Sequence, residues 1–202
     1  MGGFGALNLA MRHPDIFGAT YVLSPGVFGP DGAQARLGNP DVAAEMVRLS
    51  DSLTGMTAEQ RLDHVQSALT QLDLRFQWAY GTAFAPDPSS PSLMRIPFVA
   101  HGDAIERDSA TWSIWEAGFG ALPEKIQRYG DNLRRLRAIG IDYGTHDEYT
   151  WIPSGCAYFA GLLRRAGIKV AVSTFDGGHE DQLADRLVTH MLPFMASALA
   201  RE

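Results

Sequence analysis

Apolar positions recur along this chain in two alternating rhythms. Leu7, Ala10 and Met11 stand three and four apart after a glycine-dense start, Met1-Gly2-Gly3-Phe4-Gly5. That spacing predicts a helix ending at Arg12 or His13, ahead of Pro14. Gly18 to Ser24 is a short apolar run stopped by Pro25-Gly26, and it reads as a strand buried on both faces. Ile139 to Tyr143 and Lys169 to Phe175 predict two further strands. Between them, Trp151 to Ala166 predicts a helix with Cys156, Phe159, Ala160 and Leu163 on one face and Gly167 as its stop. Lys125 to Arg137 is a basic amphipathic helix, and Leu183, Leu187, Val188, Met191, Leu192 and Met195 put an apolar stripe on a closing helix.

From Phe28 to about Leu93 the rhythm changes. Asn39-Pro40 opens a helix through Ala43, Met46 and Val47, and Thr57 with Gln60 three positions on has the pattern of a capping box. Leu62, Val65, Leu69 and Leu72 continue at helical spacing until Pro86, Pro88 and Pro91 break the chain into an extended loop. The alternation of strand and helix outside this stretch predicts an α/β fold with a mainly parallel sheet and right-handed crossovers. The whole chain, residues 1–202, is then one domain, with 28–127 a helical lid or insertion.

Composition narrows the function classes. The chain has 202 residues, 46% hydrophobic and 20% charged, enough for a well-buried core and not the profile of a disordered segment. A net charge of −6 argues against a nucleic-acid or membrane-surface partner, both of which call for a basic face. No apolar run approaches the ~20 residues that span a bilayer. The single cysteine, Cys156, excludes an internal disulfide framework and a cysteine-based zinc cluster, and leaves the compartment open.

Two loops carry candidate chemistry because each follows a predicted strand: Gly144-Thr145-His146-Asp147 and Asp176-Gly177-Gly178-His179. Open α/β sheets bind ligands outside the carboxyl ends of their strands, where neighbouring strands would bring Asp147 and His179 together. An aspartate orienting a histidine is two-thirds of a Ser-His-Asp triad.

Met1-Gly2-Gly3-Phe4-Gly5-Ala6 resembles the run that follows the serine of the Gly-x-Ser-x-Gly nucleophile elbow in α/β-hydrolases. Arg12-His13-Pro14-Asp15-Ile16-Phe17, Ser24-Pro25-Gly26, the Gly144 to Asp147 turn and Gly177-Gly178-His179 are similar to segments of the esterase D, feruloyl esterase and antigen 85 group. The resemblance covers nearly the whole chain and is weakest from Phe28 to Gln127. It implies a partial α/β-hydrolase fold, the C-terminal two-thirds of a serine esterase that begins just after the nucleophile. His179 is then the general base and Asp147 holds its tautomer. The backbone N–H of Met1 is an oxyanion-hole donor in the full-length parent, whereas here Met1 carries a terminal amine. No cofactor and no metal are implied, the partner is a small-molecule ester, and the chain by itself is expected to be inactive. A non-catalytic remnant or binding module of the same fold, and an acyltransferase, are the competing readings.

Asp142 and Glu148 compete with Asp147 for the acid. Ser24 and Ser154 lack the elbow spacing, and Ser24 suits a pocket lining or a backbone cap. His146 beside Asp147 hints at a metal pair, but adjacent side chains diverge and no third ligand is evident. His101-Gly102-Asp103 reads as lid surface, and Cys156 as a small buried hydrophobe. Trp78, Tyr80, Phe84, Trp112 and Trp115 are either core or the lining of an acyl or aromatic pocket. The strand from Gly18 to Ser24 should present an unpaired edge and promote self-association.

Overall fold

A computed structural model describes residues 1–102 and 104–200. The chain begins with α1 (Gly2–Arg12) and β1 (Ala19–Leu23), then runs through α2 (Gln34–Leu37), α3 (Pro40–Ser52), α4 (Ala58–Ala68) and α5 (Leu72–Phe84). A hairpin of β2 (Phe98–His101) and β3 (Ala104–Arg107) precedes α6 (Ser109–Glu116) and α7 (Leu122–Arg135). β4 (Ala138–Gly144), α8 (Trp151–Arg165) and β5 (Ala171–Phe175) lead to a closing segment, α9 (Leu183–Arg186), a π-helical turn (Leu187–Met191) and α10 (Leu192–Leu199). The chain divides into two compact units, one of Met1–Asp31 with Phe119–Glu202 and one of Gly32–Gly118.

The first unit is built on a three-stranded parallel sheet in the order β1-β4-β5. β4 is central, and from Ile139 to Gly144 every residue is buried. Its large apolar residues Ile139, Ile141 and Tyr143 alternate with Gly140, Asp142 and Gly144, so its two buried faces meet different partners. Ile139, Ile141 and Tyr143 face a helical layer of α1, α7 and α8; α1 buries Phe4, Leu7, Ala10 and Met11, and α8 buries Cys156, Phe159, Ala160 and Leu163. Gly140 and Asp142 face the C-terminal segment, where the Phe194 ring meets Tyr21 edge-on at 5.1 Å. A parallel sheet flanked by helices is the α/β class that the element order predicts.

Two features of this unit differ from the sequence pattern. β5 is an edge strand, and only Phe175 in it is buried. The closing helix turns much of its expected stripe outward: Leu183, Val188 and Leu192 are exposed while Arg186 is buried. The π-helical turn changes the angular register midway, and a buried ion pair described below sets which side faces the sheet.

In the second unit the local signals act as written. The Asn39 side chain accepts the N–H groups of Asp41 and Val42, and Thr57 and Gln60 form a reciprocal capping box. The apolar stripe from Leu62 to Leu72 breaks after Leu69, so that α4 and α5 are separate helices. Leu62 and Val65 line an apolar cleft of about 370 Å³ together with Trp78 and Leu93. The β2–β3 hairpin and α6 have no counterpart in the sequence reading. Asp103, of the sequence His101-Gly102-Asp103, lies outside the described residues.

Candidate functional site

The carboxyl ends of β4 and β5 are stitched together by their loops. The Thr145 N–H donates to the Phe175 carbonyl at 2.9 Å and the His146 N–H to the Gly177 carbonyl at 3.0 Å. A Cβ on Gly144 would collide with the carbonyl oxygens of Gly177 and Gly178, so only glycine permits this approach. The first turn of α1 lies at the same edge of the sheet. A Cβ on Gly3 would collide with the carbonyl of Leu23, where β1 ends.

At this edge Asp147 and His179 meet. Nδ1 of His179 is 2.8 Å from Oδ2 of Asp147, whose side chain is fully buried while that of His179 is 26% exposed. The other carboxylate oxygen, Oδ1, accepts the N–H of Tyr149 at 2.9 Å. The Tyr149 ring stands edge-on to the imidazole, with centroids 4.9 Å apart and planes at 81°. A carboxylate facing Nδ1 selects the tautomer protonated there and leaves the Nε2 lone pair available. Nε2 of His179 has no hydrogen-bond partner among the described residues. The backbone of the same histidine is tied as well, its N–H donating to Oε2 of Glu148 at 2.8 Å. That bond is the main cause holding the Glu148 carboxyl below its ordinary pKa.

A second histidine–aspartate pair lies on the same two loops. His146 Nδ1 is 2.8 Å from Asp176 Oδ1, with side chains 75% and 90% exposed. Water screens this pair, while Asp147 acts on His179 from a buried position, which makes the Asp147–His179 pair the better candidate for chemistry. No group of three or more histidine, cysteine, aspartate or glutamate side chains could hold a metal ion among the described residues.

Asp142 is engaged elsewhere. Both of its oxygens accept from Arg186, Nε at 2.9 Å and Nη2 at 2.8 Å, and the Tyr21 hydroxyl donates to it at 2.8 Å. Arg186 also reaches Ser173 Oγ and stacks over the Phe175 ring. Burial, followed by the Asp142 hydrogen bond, pushes the Tyr21 phenol up, and the same carboxylate pushes Arg186 up. The sequence reading missed Arg186. Its signal was an arginine among apolar positions of one helix, matched by an aspartate inside an apolar strand.

Neither serine is presented as a nucleophile. Ser24 is buried with a φ of 39°, and its N–H extends the β1–β4 ladder by donating to the Asp142 carbonyl at 2.8 Å. Ser154 Oγ donates to the Trp151 carbonyl at 3.0 Å. Cys156 is fully buried, and desolvation pushes its thiol well up, away from reactivity. Met1 is exposed at the N-cap of α1. Of the aromatic residues, Tyr80 stacks on Phe84 and donates to the Trp115 carbonyl at 2.7 Å, and Trp112 packs on Phe98. These are core contacts within the second unit, and only Trp78 among the five borders the cleft beside α4.

No family model matches the chain, and no curated protein matches it. Among solved structures it is similar to a ferulic acid esterase, with 18% sequence identity and a TM-score of 0.49 over 98% of this chain and 49% of that one. The chain thus spans about half the length of that protein. No helix among the described residues is long and apolar enough to cross a membrane.

Proposed function

We propose that this chain carries the aspartate–histidine half of a serine-type carboxylic ester hydrolase, its nucleophile being supplied by the residue that precedes Met1 in the parent protein. One observation carries the reading: the 2.8 Å contact between buried Asp147 and His179 at the carboxyl edge of a parallel sheet, where α1 also begins. A residue joined to Met1 would enter α1 at that edge.

The chemistry follows from the free Nε2. It would accept the serine proton as Oγ attacks the ester carbonyl, and the tetrahedral oxyanion would draw on the backbone N–H of Met1. Nε2–H would then protonate the leaving alcohol as the C–O bond breaks, leaving an acyl-serine. Water, deprotonated by the same nitrogen, would then add to the acyl carbon, and Nε2–H would return the proton to serine Oγ as the C–Oγ bond breaks and the acid leaves. Asp147 would hold the tautomer and stabilise the imidazolium. In this scheme the substrate is a small-molecule ester, and no cofactor takes part.

The test is the coding sequence immediately upstream of the Met1 codon, followed by expression of the longer protein. An in-frame Gly-x-Ser and turnover of a nitrophenyl ester that is lost in His179→Gln would support the reading. A stop codon or unrelated sequence there would remove it, and an alcohol outcompeting water as acceptor would make the parent an acyltransferase.

A further inference from the structure

Three consecutive residues hold one histidine from three directions. Asp147 takes Nδ1, Tyr149 sets its ring against the imidazole, and Glu148 between them takes the backbone N–H of His179. The first two act on the ring. Where the ring starts from is a separate matter, because His179 follows Gly177-Gly178, the most conformationally free backbone a chain can have. The Gly177 carbonyl accepts the His146 N–H, but that bond leaves the backbone of His179 itself to be fixed.

The Glu148 carboxylate ends that freedom at His179 itself, with Oε2 2.8 Å from its N–H. The neighbouring glycine makes room for it, since a Cβ on Gly178 would stand 2.5 Å from Oε1 of Glu148. One residue earlier on that loop, the Gly178 N–H is taken by Oδ2 of Asp181 at 2.8 Å. The loop is therefore fastened from both sides next to the imidazole.

We propose that Glu148 is a positioning residue for His179, fixing the backbone from which the imidazole reaches Asp147 and presents Nε2. This rests on the reading of Asp147 and His179 given above. Glu148 touches no reacting atom and acts only through His179.

Nuclear magnetic resonance on the 202-residue chain tests this without any need for turnover. The readouts are the ring nitrogen shifts of His179, its bonded Nδ1–H proton and the exchange rate of its backbone amide. Glu148→Ala should raise amide exchange at His179 by about tenfold and mix the two imidazole tautomers, with the rest of the spectrum unmoved. Glu148→Gln, which keeps a neutral acceptor, should restore most of the single tautomer. Gly178→Ala, which crowds the carboxylate while leaving Glu148 in the sequence, should reproduce the Glu148→Ala effect and serves if that variant folds poorly. Unchanged His179 signals in Glu148→Ala would overturn the proposal. Asp147→Asn separates the two claims: if it too leaves the His179 ring unmoved, the underlying reading of the pair fails. If only Asp147→Asn moves the ring, the role of Glu148 alone falls.

Discussion

Arg186, in the first turn after the His179 loop, meets Asp142 in the middle of the central strand, with its Nε and Nη2 at 2.9 and 2.8 Å from the two carboxylate oxygens. Both side chains are nearly or fully buried, at 7% and 0% exposure. A pair this deep is costly to break because the surviving charge stays behind without water. It also fastens the chain that returns from His179 to the strand that ends before Asp147.

Arg186→Met should therefore destabilise the protein by about 3 kcal/mol, the usual cost of orphaning one member of a buried pair. In thermal unfolding that corresponds to a fall in midpoint of about 10 °C for a chain of this size. Replacing both members, Arg186→Met with Asp142→Leu, should recover part of the loss, because no unpaired charge then remains.

The two histidine–aspartate pairs should behave differently. In the parent protein proposed above, Asp147→Asn should lower kcat for a nitrophenyl ester by about 10⁴-fold through the wrong tautomer, with KM little changed. Asp176→Asn, which changes the side chain paired with the exposed His146, should change kcat by less than about twofold, since screened pairs contribute little. Equal losses in the two variants would contradict the assignment.

Acid should loosen the His179 backbone. The Glu148 carboxyl is held below its ordinary pKa, chiefly by the His179 N–H. Its contribution is then complete above the ordinary carboxylate range and is lost as pH falls through the lowered folded value. Amide exchange at His179, corrected for its intrinsic pH dependence, should rise through that acid window. In Glu148→Gln the step should vanish.

Among the described residues β1 pairs with β4 on one side only, and a groove of about 330 Å³ runs beside it, lined by Ala6, Leu9, Phe17, Tyr21, Met191 and Met195. Unpaired strand edges flanked by apolar side chains invite another strand. The chain is expected to self-associate as concentration rises in sedimentation velocity. Leu9→Lys, placing a charge at an exposed position of the groove, should reduce that association without lowering the thermal midpoint. A single monomeric species at all concentrations would contradict the expectation.

What the sequence determined on its own is local. The Asn39 cap, the Thr57–Gln60 box and the stop at Gly167 with its φ of 70° all rest on forces acting within a few residues. Their signatures are therefore written in adjacent letters. The β2–β3 hairpin escaped because its strands are mostly exposed, so that burial imposed no clean alternation on them. The closing helix misled for the opposite reason. Its stripe promised an apolar contact, but Arg186 is what the sheet receives, and its partner Asp142 stands 44 residues away. The loop glycines and the two histidine–aspartate combinations were likewise visible as letters. Which aspartate faces which histidine, and which pair is buried, was decided only when β4 and β5 were laid side by side. Burial depends on everything packed around a group, and no spacing along the chain encodes it.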